Sequence, residues 1–201
     1  MLALTRPRSS TVSRTLVLLA ISLALAGCGI NTIPTKQERA KAAWSEVLNQ
    51  YQRRADLIPN LVETVKGYAA QESKVLTEVI EARAKATQVQ LPPDILTNPD
   101  AFKKFQDAQN QLSGALGRLL VVTENYPDLK SNQNFLTLQS QLEGTENRIT
   151  VERQRYNTAV REYNTRLRIF PGSVVAGMMG FKPKAFFEAA PGSETAPKVK
   201  F

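Results

Sequence analysis

The chain has 201 residues, with 26 Lys and Arg side chains against 18 Asp and Glu, and a formal net charge of +8. It contains no histidine, and its one cysteine has no intramolecular disulfide partner. These absences remove the most common general base and metal ligand, and no P-loop, dinucleotide-binding fingerprint or nucleophile elbow is present. The composition excludes most familiar catalytic constellations, and we expect no cofactor.

Residues 1–27 have the composition of a secretory signal peptide. Arg6, Arg8 and Arg14 precede an apolar run from Leu16 to Leu25, and the segment has no acidic residue. The run is shorter than the ~20 residues that a transmembrane helix needs, and small residues follow it. Removal of this segment lowers the net charge by three, so the exported chain is only moderately basic and nucleic acid is a poor partner. The alternative is an uncleaved signal anchor.

The junction Leu25-Ala-Gly-Cys28 resembles the lipobox at which bacterial lipoproteins receive a diacylglycerol on sulfur and are cut before the cysteine. Two or more acyl chains anchor durably, because each buried methylene contributes ~0.8 kcal/mol. We therefore expect a lipid on Cys28, a lipidated linker over residues 28–34 and a place in the cell envelope, facing the periplasm or the outside. Gly29, where Asp would retain a lipoprotein in the inner membrane, favours the outer membrane if the organism has two.

The first predicted helix begins at the capping box Thr35-Lys-Gln-Glu38 and extends to about Gln88. Pro59 interrupts its apolar stripe without changing the phase, which predicts a kink and not a reversal. At 1.5 Å per residue, this helix would be about 80 Å long. The stripe recurs at steps of three, four or seven residues: Trp44, Val47, Tyr51, Ala55, Ile58, Val62, Val65, Ala69, Leu76 and Val79.

Two further long helices and a short one are predicted after Leu91-Pro-Pro93. Asn98-Pro99-Asp100 has the residues of a helix start, and the second helix extends to about Tyr126-Pro127. The third extends from about Ser131 to Phe170, and the apolar segment 174–181 packs back across the bundle. These patterns predict an all-α, antiparallel up-and-down bundle over residues 35–188, with a disordered tail over 189–201.

Three segments resemble the LemA family: YQRRADLIPNLVETVKGY at residues 51–68, LEGTENRI at 142–149 and GFKPKAFFE at 180–188. The tyrosine–asparagine pairs at 156–157 and 163–164 are similar to that family as well. The resemblance covers roughly Glu38 to Ala189 and implies an extracytoplasmic four-helix bundle tied to a membrane by its amino terminus. It implies no established enzymatic activity. A lipobox in place of a transmembrane anchor is where this chain departs from many members.

Polar lanes beside the apolar stripes of the first and third helices supply candidate site residues. If the lanes face each other, Asp56 and Glu63 pair with Arg148 or Arg153. Such a network either fixes helix register or forms a binding site for a partner. A ferritin-like metal centre would need histidines that the chain lacks. The candidates are Asp56, Asn60, Glu63, Glu146, Arg148, Arg153 and Asn157.

Two further groups of residues each allow both a structural and a functional interpretation. Arginines late in the third helix form either a solvated face or a surface for anionic lipid or polysaccharide: Arg148, Arg153, Arg155, Arg161, Arg166 and Arg168. Apolar residues near the end of the domain are expected to close the bundle as core, or, if exposed, to contact a protein or a membrane: Met178, Met179, Phe181, Phe186 and Phe187.

The combined expectation is a membrane-anchored, non-enzymatic envelope protein that binds or scaffolds another envelope protein. No small-molecule substrate is evident. The alternative is a regulatory subunit of an envelope protease or a carboxylate-dependent hydrolase with Asp56, Glu63 and Glu146 as its acids. A cleft around those carboxylates would favour the alternative, and a packed bundle without one would count against it.

Overall fold

The computed structural model describes Leu16 and residues 31–189. Residues 31–189 contain helices and turns but no strand, which confirms the prediction of an all-α bundle. No helix in the described part of the chain is long and apolar enough to cross a membrane. The α-helices are α1 Thr32–Lys66, α2 Ser73–Gln88, α3 Pro99–Thr123, α4 Pro127–Lys130, α5 Gln133–Arg168 and α6 Gly172–Met179, with one-turn 3-10 helices at Ala70–Glu72 and Ile95–Thr97.

The segment predicted as one long helix is two antiparallel helices. α1 continues through Pro59 but ends at Lys66, and Ala69 leaves the helical conformation before the chain runs back as α2. Arg83 Nε in α2 donates to the Ala55 carbonyl of α1 at 2.8 Å, so the two helices lie side by side. The single 80 Å rod was wrong. The apolar pattern predicted one continuous helix because Ala69, which lies in the turn itself, is fully buried and falls at the next position of the stripe.

The predicted start of the first helix at Thr35 was also wrong. α1 begins at Thr32, inside the segment expected to be a linker. The Thr35 hydroxyl donates to the Asn31 carbonyl at 2.8 Å, which is a bond back along the helix and not a cap. A threonine hydroxyl can make either bond, so the sequence pattern alone did not discriminate between them.

The start of α3 is as the sequence predicts. Asn98 Oδ1 accepts a hydrogen bond from the Ala101 amide at 3.1 Å, with Pro99 as the first helical residue. α5 begins two residues after the predicted Ser131. Asn132 caps it, because its Oδ1 accepts from the Asn134 amide at 2.9 Å and the Phe135 amide at 3.0 Å.

α1 and α5 form an antiparallel pair along the whole bundle. Lys36 pairs with Glu162 near one end, and Asn132 donates to the Tyr68 hydroxyl near the other. We call the end at which α1 begins the near end, and the end at which it finishes the far end. α2 and α3 complete a four-helix bundle in the far half, where the apolar stripes of the four helices form one buried cluster.

The buried residues form three clusters that succeed one another along the α1–α5 pair. The far cluster is aliphatic and includes Ile58, Val65, Leu116, Leu119 and Leu142. The middle cluster is aromatic, with ring centroids 4.8 to 5.9 Å apart: Trp44, Tyr51, Phe102, Phe105, Tyr156 and Phe187. The near cluster joins the first turn of α1 to the end of α5 and to α6: Ile33, Tyr163, Leu167 and Ala176.

The C-terminal strap, residues 181–188, is extended chain that takes the place of α2 and α3 in the near half. Side chains of α5 bond its backbone: the Tyr163 hydroxyl donates to the Lys182 carbonyl, Asn164 bonds both backbone groups of Lys184, and the Tyr156 hydroxyl donates to the Ala185 carbonyl. The predicted return across the bundle by 174–181 was therefore misplaced. α6 packs on the end of α5, and the strap makes the return.

Candidate functional sites

Arg54 of α1 is the centre of a polar network that reaches across the bundle. Its side chain is 1% exposed. Nη1 donates to Ser113 Oγ at 2.6 Å and to Glu146 Oε1 at 2.8 Å. Nη2 donates to Gln109 Oε1 at 2.6 Å, and the Gln109 amide in turn donates to the Ala86 carbonyl. The network therefore links all four helices of the far half.

The Arg54 end of the network is buried but not fully satisfied, whereas the Glu146 side chain is 37% exposed. Arg54 Nε is buried without a hydrogen-bond partner, and so is the hydroxyl of Tyr51, whose ring lies 5.1 Å from the Arg54 guanidinium. Burial is the largest influence on Tyr51 and raises the pKa of its hydroxyl, against the opposing effect of Arg153 and Arg54. Because a buried ion pair fixes geometry more than it adds stability, the network defines the register of the helices.

Sequence reasoning missed Arg54, although a signal was present. It lies three residues after Tyr51 and four before Ile58, both of which belong to the apolar stripe. A basic residue at a stripe position is the pattern expected of a buried, paired charge.

The structure separates the predicted site residues into two groups. Asp56, Asn60 and Glu63 are exposed on α1. Asp56 accepts a hydrogen bond from Gln52, and Glu63 lies 4.0 Å from Lys66, so their predicted pairing with Arg148 or Arg153 was wrong. The remaining residues are on α5: Glu146 joins the Arg54 network, Arg148 is exposed, and Arg153 and Asn157 contact the strap.

Arg153 and Asn157 hold the end of the strap against α5. Asn157 donates to the Phe187 carbonyl and accepts from the Phe187 amide, each at 2.9 Å. Arg153 donates to the Glu188 carbonyl at 3.1 Å, and its guanidinium lies 4.6 Å from the centre of the Phe187 ring. Among the other late arginines, Arg155, Arg161 and Arg168 are exposed. Arg153 and Asn157 of α5 thus bind the strap, which is another segment of the same chain.

The three carboxylates of the hydrolase alternative are not brought together. Asp56 and Glu63 each contact a residue of their own helix, whereas Glu146 is held by Arg54. Over the described residues, no group of three or more Asp, Glu, Cys or His is placed to hold a metal ion. These three carboxylates are therefore not positioned to act together on one substrate.

A groove of about 410 Å³ lies between α3 and α5, beside the Arg54 network. Leu116 and Leu142 of the far cluster lie at its base and are buried, and Leu120 beside them is partly exposed. Glu143, Glu146 and Asn147 border it on α5. Gly117 of α3 also lines the groove, and a Cβ added there would meet no atom within 4 Å. The groove is therefore open over one turn of α3.

The near end of the bundle exposes apolar side chains. Met178 is 83% exposed and Phe170 77%, and Met179 and Phe186 are exposed as well. Phe181 is half-buried and Phe187 is buried in the aromatic cluster. The expectation that this group is core holds for Phe187 and was wrong for Met178, Met179 and Phe186. Cys28, the predicted lipidation site, lies outside the described residues.

Comparison with known proteins identifies the family. The LemA family model matches residues 43–201. Magnetosome protein MamQ 2 of Paramagnetospirillum magneticum is 28% identical over 181 residues, which cover 82% of this chain and 66% of that protein. MamQ of Magnetospirillum gryphiswaldense is 26% identical over the same shares. Protein LemA of Metamycoplasma hominis is 22% identical over 160 residues, 80% of this chain and 69% of that protein.

The MamQ proteins are therefore longer than the segment they share with this chain, which spans just under two thirds of their length. The family model covers most of the described bundle, from Ala43 in α1 through the three helices that pack on it to the strap. The two segments with the family's resemblance in α1 and α5 meet in the structure at the Arg54–Glu146 pair. This chain belongs to the LemA family.

Proposed function

We propose that this chain is a lipid-anchored, non-enzymatic protein of the cell envelope that binds another envelope protein through the α3–α5 groove. Its family membership and its likeness to magnetosome proteins support a non-catalytic, membrane-associated role. The lipobox residues Leu25-Ala-Gly-Cys28 support a lipid anchor. The open groove is the observation that favours protein binding.

The groove has the properties of a site for one face of a partner helix. Leu120 offers partly exposed apolar surface beside the buried Leu116 and Leu142, and Gly117 leaves space for an incoming side chain. An amphipathic helix binds such a groove through apolar residues spaced three and four apart. Glu143 and Glu146 at the border favour a partner helix with basic residues flanking its apolar face.

The Arg54 network prepares the groove for binding. Glu146 at its border is already held by Arg54, and Ser113 in its wall accepts a hydrogen bond from the same guanidinium. Fixed side chains lose little conformational freedom when a partner binds, so less of the binding free energy is spent on ordering them. The buried network and the exposed groove thus belong to one site.

The docking proposal is tested by filling the groove. Gly117→Trp inserts a ring into it, and Gly144→Trp is the matched control, because Gly144 is also a helical glycine with open space around its Cβ but does not line the groove. Both proteins carry a photoreactive residue at Asn147 in intact envelopes, and mass spectrometry identifies the crosslinked partner. We expect one defined partner protein with Gly144→Trp and its loss with Gly117→Trp. Equal crosslinking in the two variants, or recovery of this chain alone, would contradict partner binding in the groove.

The lipid anchor is tested separately. Cys28→Ser should abolish incorporation of labelled palmitate and release the protein from the membrane fraction, since the acyl chains supply the attachment. A threonine variant at the same position gives a second sulfur-free control. Labelled fatty acid on the serine variant would refute lipidation at Cys28 without bearing on the groove.

A further inference from the structure

The near end of the bundle bears an apolar patch that the bundle itself does not cover. Ile169 and Phe170 follow the end of α5, and Val174, Met178 and Met179 lie on α6. All five side chains are more than half exposed. α6 contains no charged residue, so nothing on that helix breaks the apolar surface. Soluble proteins rarely leave such a group of large apolar side chains in water unless it contacts something.

The patch lies where the chain would leave the membrane. Ile33, in the first turn of α1, is fully buried against Leu167 and Ala176, so α6 and the start of α1 are neighbours. Cys28 precedes Thr32 by four residues, which span at most ~14 Å even when fully extended. A lipid on Cys28 therefore holds the patch within reach of the bilayer surface.

The charges around the patch match an anionic surface. No acidic residue occurs between Glu162 and Glu188, the stretch that contains the end of α5, α6 and most of the strap. Arg168 and Lys182, on either side of α6, are exposed. Basic side chains beside an apolar surface are attracted to anionic headgroups, whereas acidic ones would be repelled.

We propose that this near-end patch inserts into the headgroup region of an anionic lipid bilayer, an inference that rests on the proposed anchor at Cys28. Phe170, Met178 and Met179 enter the boundary between headgroups and acyl chains, and Arg168 and Lys182 contact the phosphates. The lipid and the patch together give two points of attachment, which fix the orientation of the bundle. α1, with 35 residues, then carries the far end about 50 Å from the membrane.

Quenching by brominated lipid tests the orientation. The lipidated protein is placed in vesicles of equal parts phosphatidylglycerol and phosphatidylcholine with dibrominated acyl chains. Phe170→Trp puts a reporter in the patch, and Val121→Trp is the matched control, because Val121 is 71% exposed near the far end. The native Trp44 is buried and gives the same background in both. We expect a blue shift and loss of intensity for Phe170→Trp only, both reversed by adding Met178→Glu and Met179→Glu.

The possible results of this experiment distinguish failure of the membrane contact from failure of the proposed lipid anchor. Vesicle-bound protein with no quenching at Phe170→Trp, or with equal quenching at both positions, would refute the membrane contact while leaving the anchor intact. A crosslink between the near ends of two copies with no quenching would do so as well. Mature protein with Cys28→Ser that still floats with anionic vesicles and is quenched at Phe170→Trp would support the patch and contradict the need for the lipid.

Discussion

The far and near halves of the bundle cover the same α1–α5 pair by different means. In the far half, α2 and α3 bring apolar stripes to an aliphatic cluster, and each helix satisfies its own backbone hydrogen bonds. In the near half, the strap covers the pair with extended chain, whose backbone has no such internal partners. α5 therefore supplies side chains that bond it, among them Tyr156, Asn157 and Asn164. Tyr156, Asn157 and Asn164 on α5 are thus explained by the conformation of the neighbouring segment.

If the strap is part of the near-half core, removing its buried ring should cause the largest loss in the free energy of unfolding. Phe187 packs against Trp44, Phe102 and Tyr156. We expect Phe187→Ala to lower the free energy of unfolding in urea by about 4 kcal/mol, because it leaves a cavity among the rings. Phe186→Ala, at an exposed neighbour, should change it by less than about 0.5 kcal/mol. Equal effects would show that the strap is not core.

In the far half, the Arg54 network should respond to the loss of its carboxylate. Glu146→Ala leaves the Arg54 charge buried with neutral partners only, and we expect a loss of about 3 kcal/mol in the free energy of unfolding. Glu143→Ala is the control on the same helix, since Glu143 contacts only Gln139 of its own helix in the described hydrogen bonds. A small effect of Glu146→Ala in the same urea measurements would mean that Gln109 and Ser113 suffice to hold the arginine.

Alkaline pH should distinguish the halves as well, because the three buried tyrosines lie in the middle and near clusters: Tyr51, Tyr156 and Tyr163. In the far half, Tyr126 is only partly buried, and its raised pKa comes first from its hydrogen bond with Glu72. Burial raises the pKa of each of the three buried tyrosines above the ordinary value of 10.0. Above pH 10 the unfolded chain therefore loses protons that the folded chain keeps, and the free energy of unfolding falls as pH rises. We expect urea unfolding to give a lower free energy at pH 10.5 than at pH 8.

Lys184 acts in the opposite direction, because burial lowers the pKa of its ammonium group and stability rises with pH up to its ordinary value of 10.5. One lysine offsets only part of the effect of three tyrosines. Amide hydrogen exchange at increasing pH measures the protection of the backbone amides in both halves in one experiment. Loss of protection in the strap and the near end of α5 before the far half supports the prediction, and simultaneous loss contradicts it.

The smallest expected effect concerns a single pair of strap hydrogen bonds. Asn157→Ala removes both bonds to the Phe187 backbone, and we expect a loss of about 1 kcal/mol with faster exchange of the Phe187 amide. Asn147→Ala, at an exposed asparagine of the same helix, should leave that amide unchanged. Unaltered exchange in both variants would mean that the ring of Phe187, and not its backbone, holds the strap.

The sequence predicts the helices better than their connections. The stripes of α3 and α5 and the start signal Asn98-Pro99-Asp100 gave helices close to those observed. The reversal after α1 was not predictable from periodicity, because Ala69 preserves the spacing of the stripe at the point where the backbone leaves the helix. Periodicity reports which face of a helix is buried. It does not report whether two successive helices are collinear.

The candidate site was less predictable than the fold. Glu146 of the predicted polar lane contacts another helix, but its partner Arg54 lies in the apolar stripe, where the pattern favours hydrophobic side chains. Met178 and Met179 have the hydrophobicity of core residues, and only the position of α6 at the end of the bundle exposes them. Whether a side chain at the end of the bundle is exposed depends on how far the other segments of the chain extend over it. That depends on the whole fold and not on the local sequence.

The position of the strap also bears on how the protein matures. Phe187, the ring that completes the aromatic cluster, is among the last described residues in chain order, whereas Trp44 is among the first. While the chain is synthesised from its amino terminus onward, Trp44, Phe102 and Tyr156 lack this cover until residue 187 has been made. A chain that stops short of residue 187 leaves them open to water, chaperones and proteases. The aromatic cluster is thereby complete only in a chain that includes the strap.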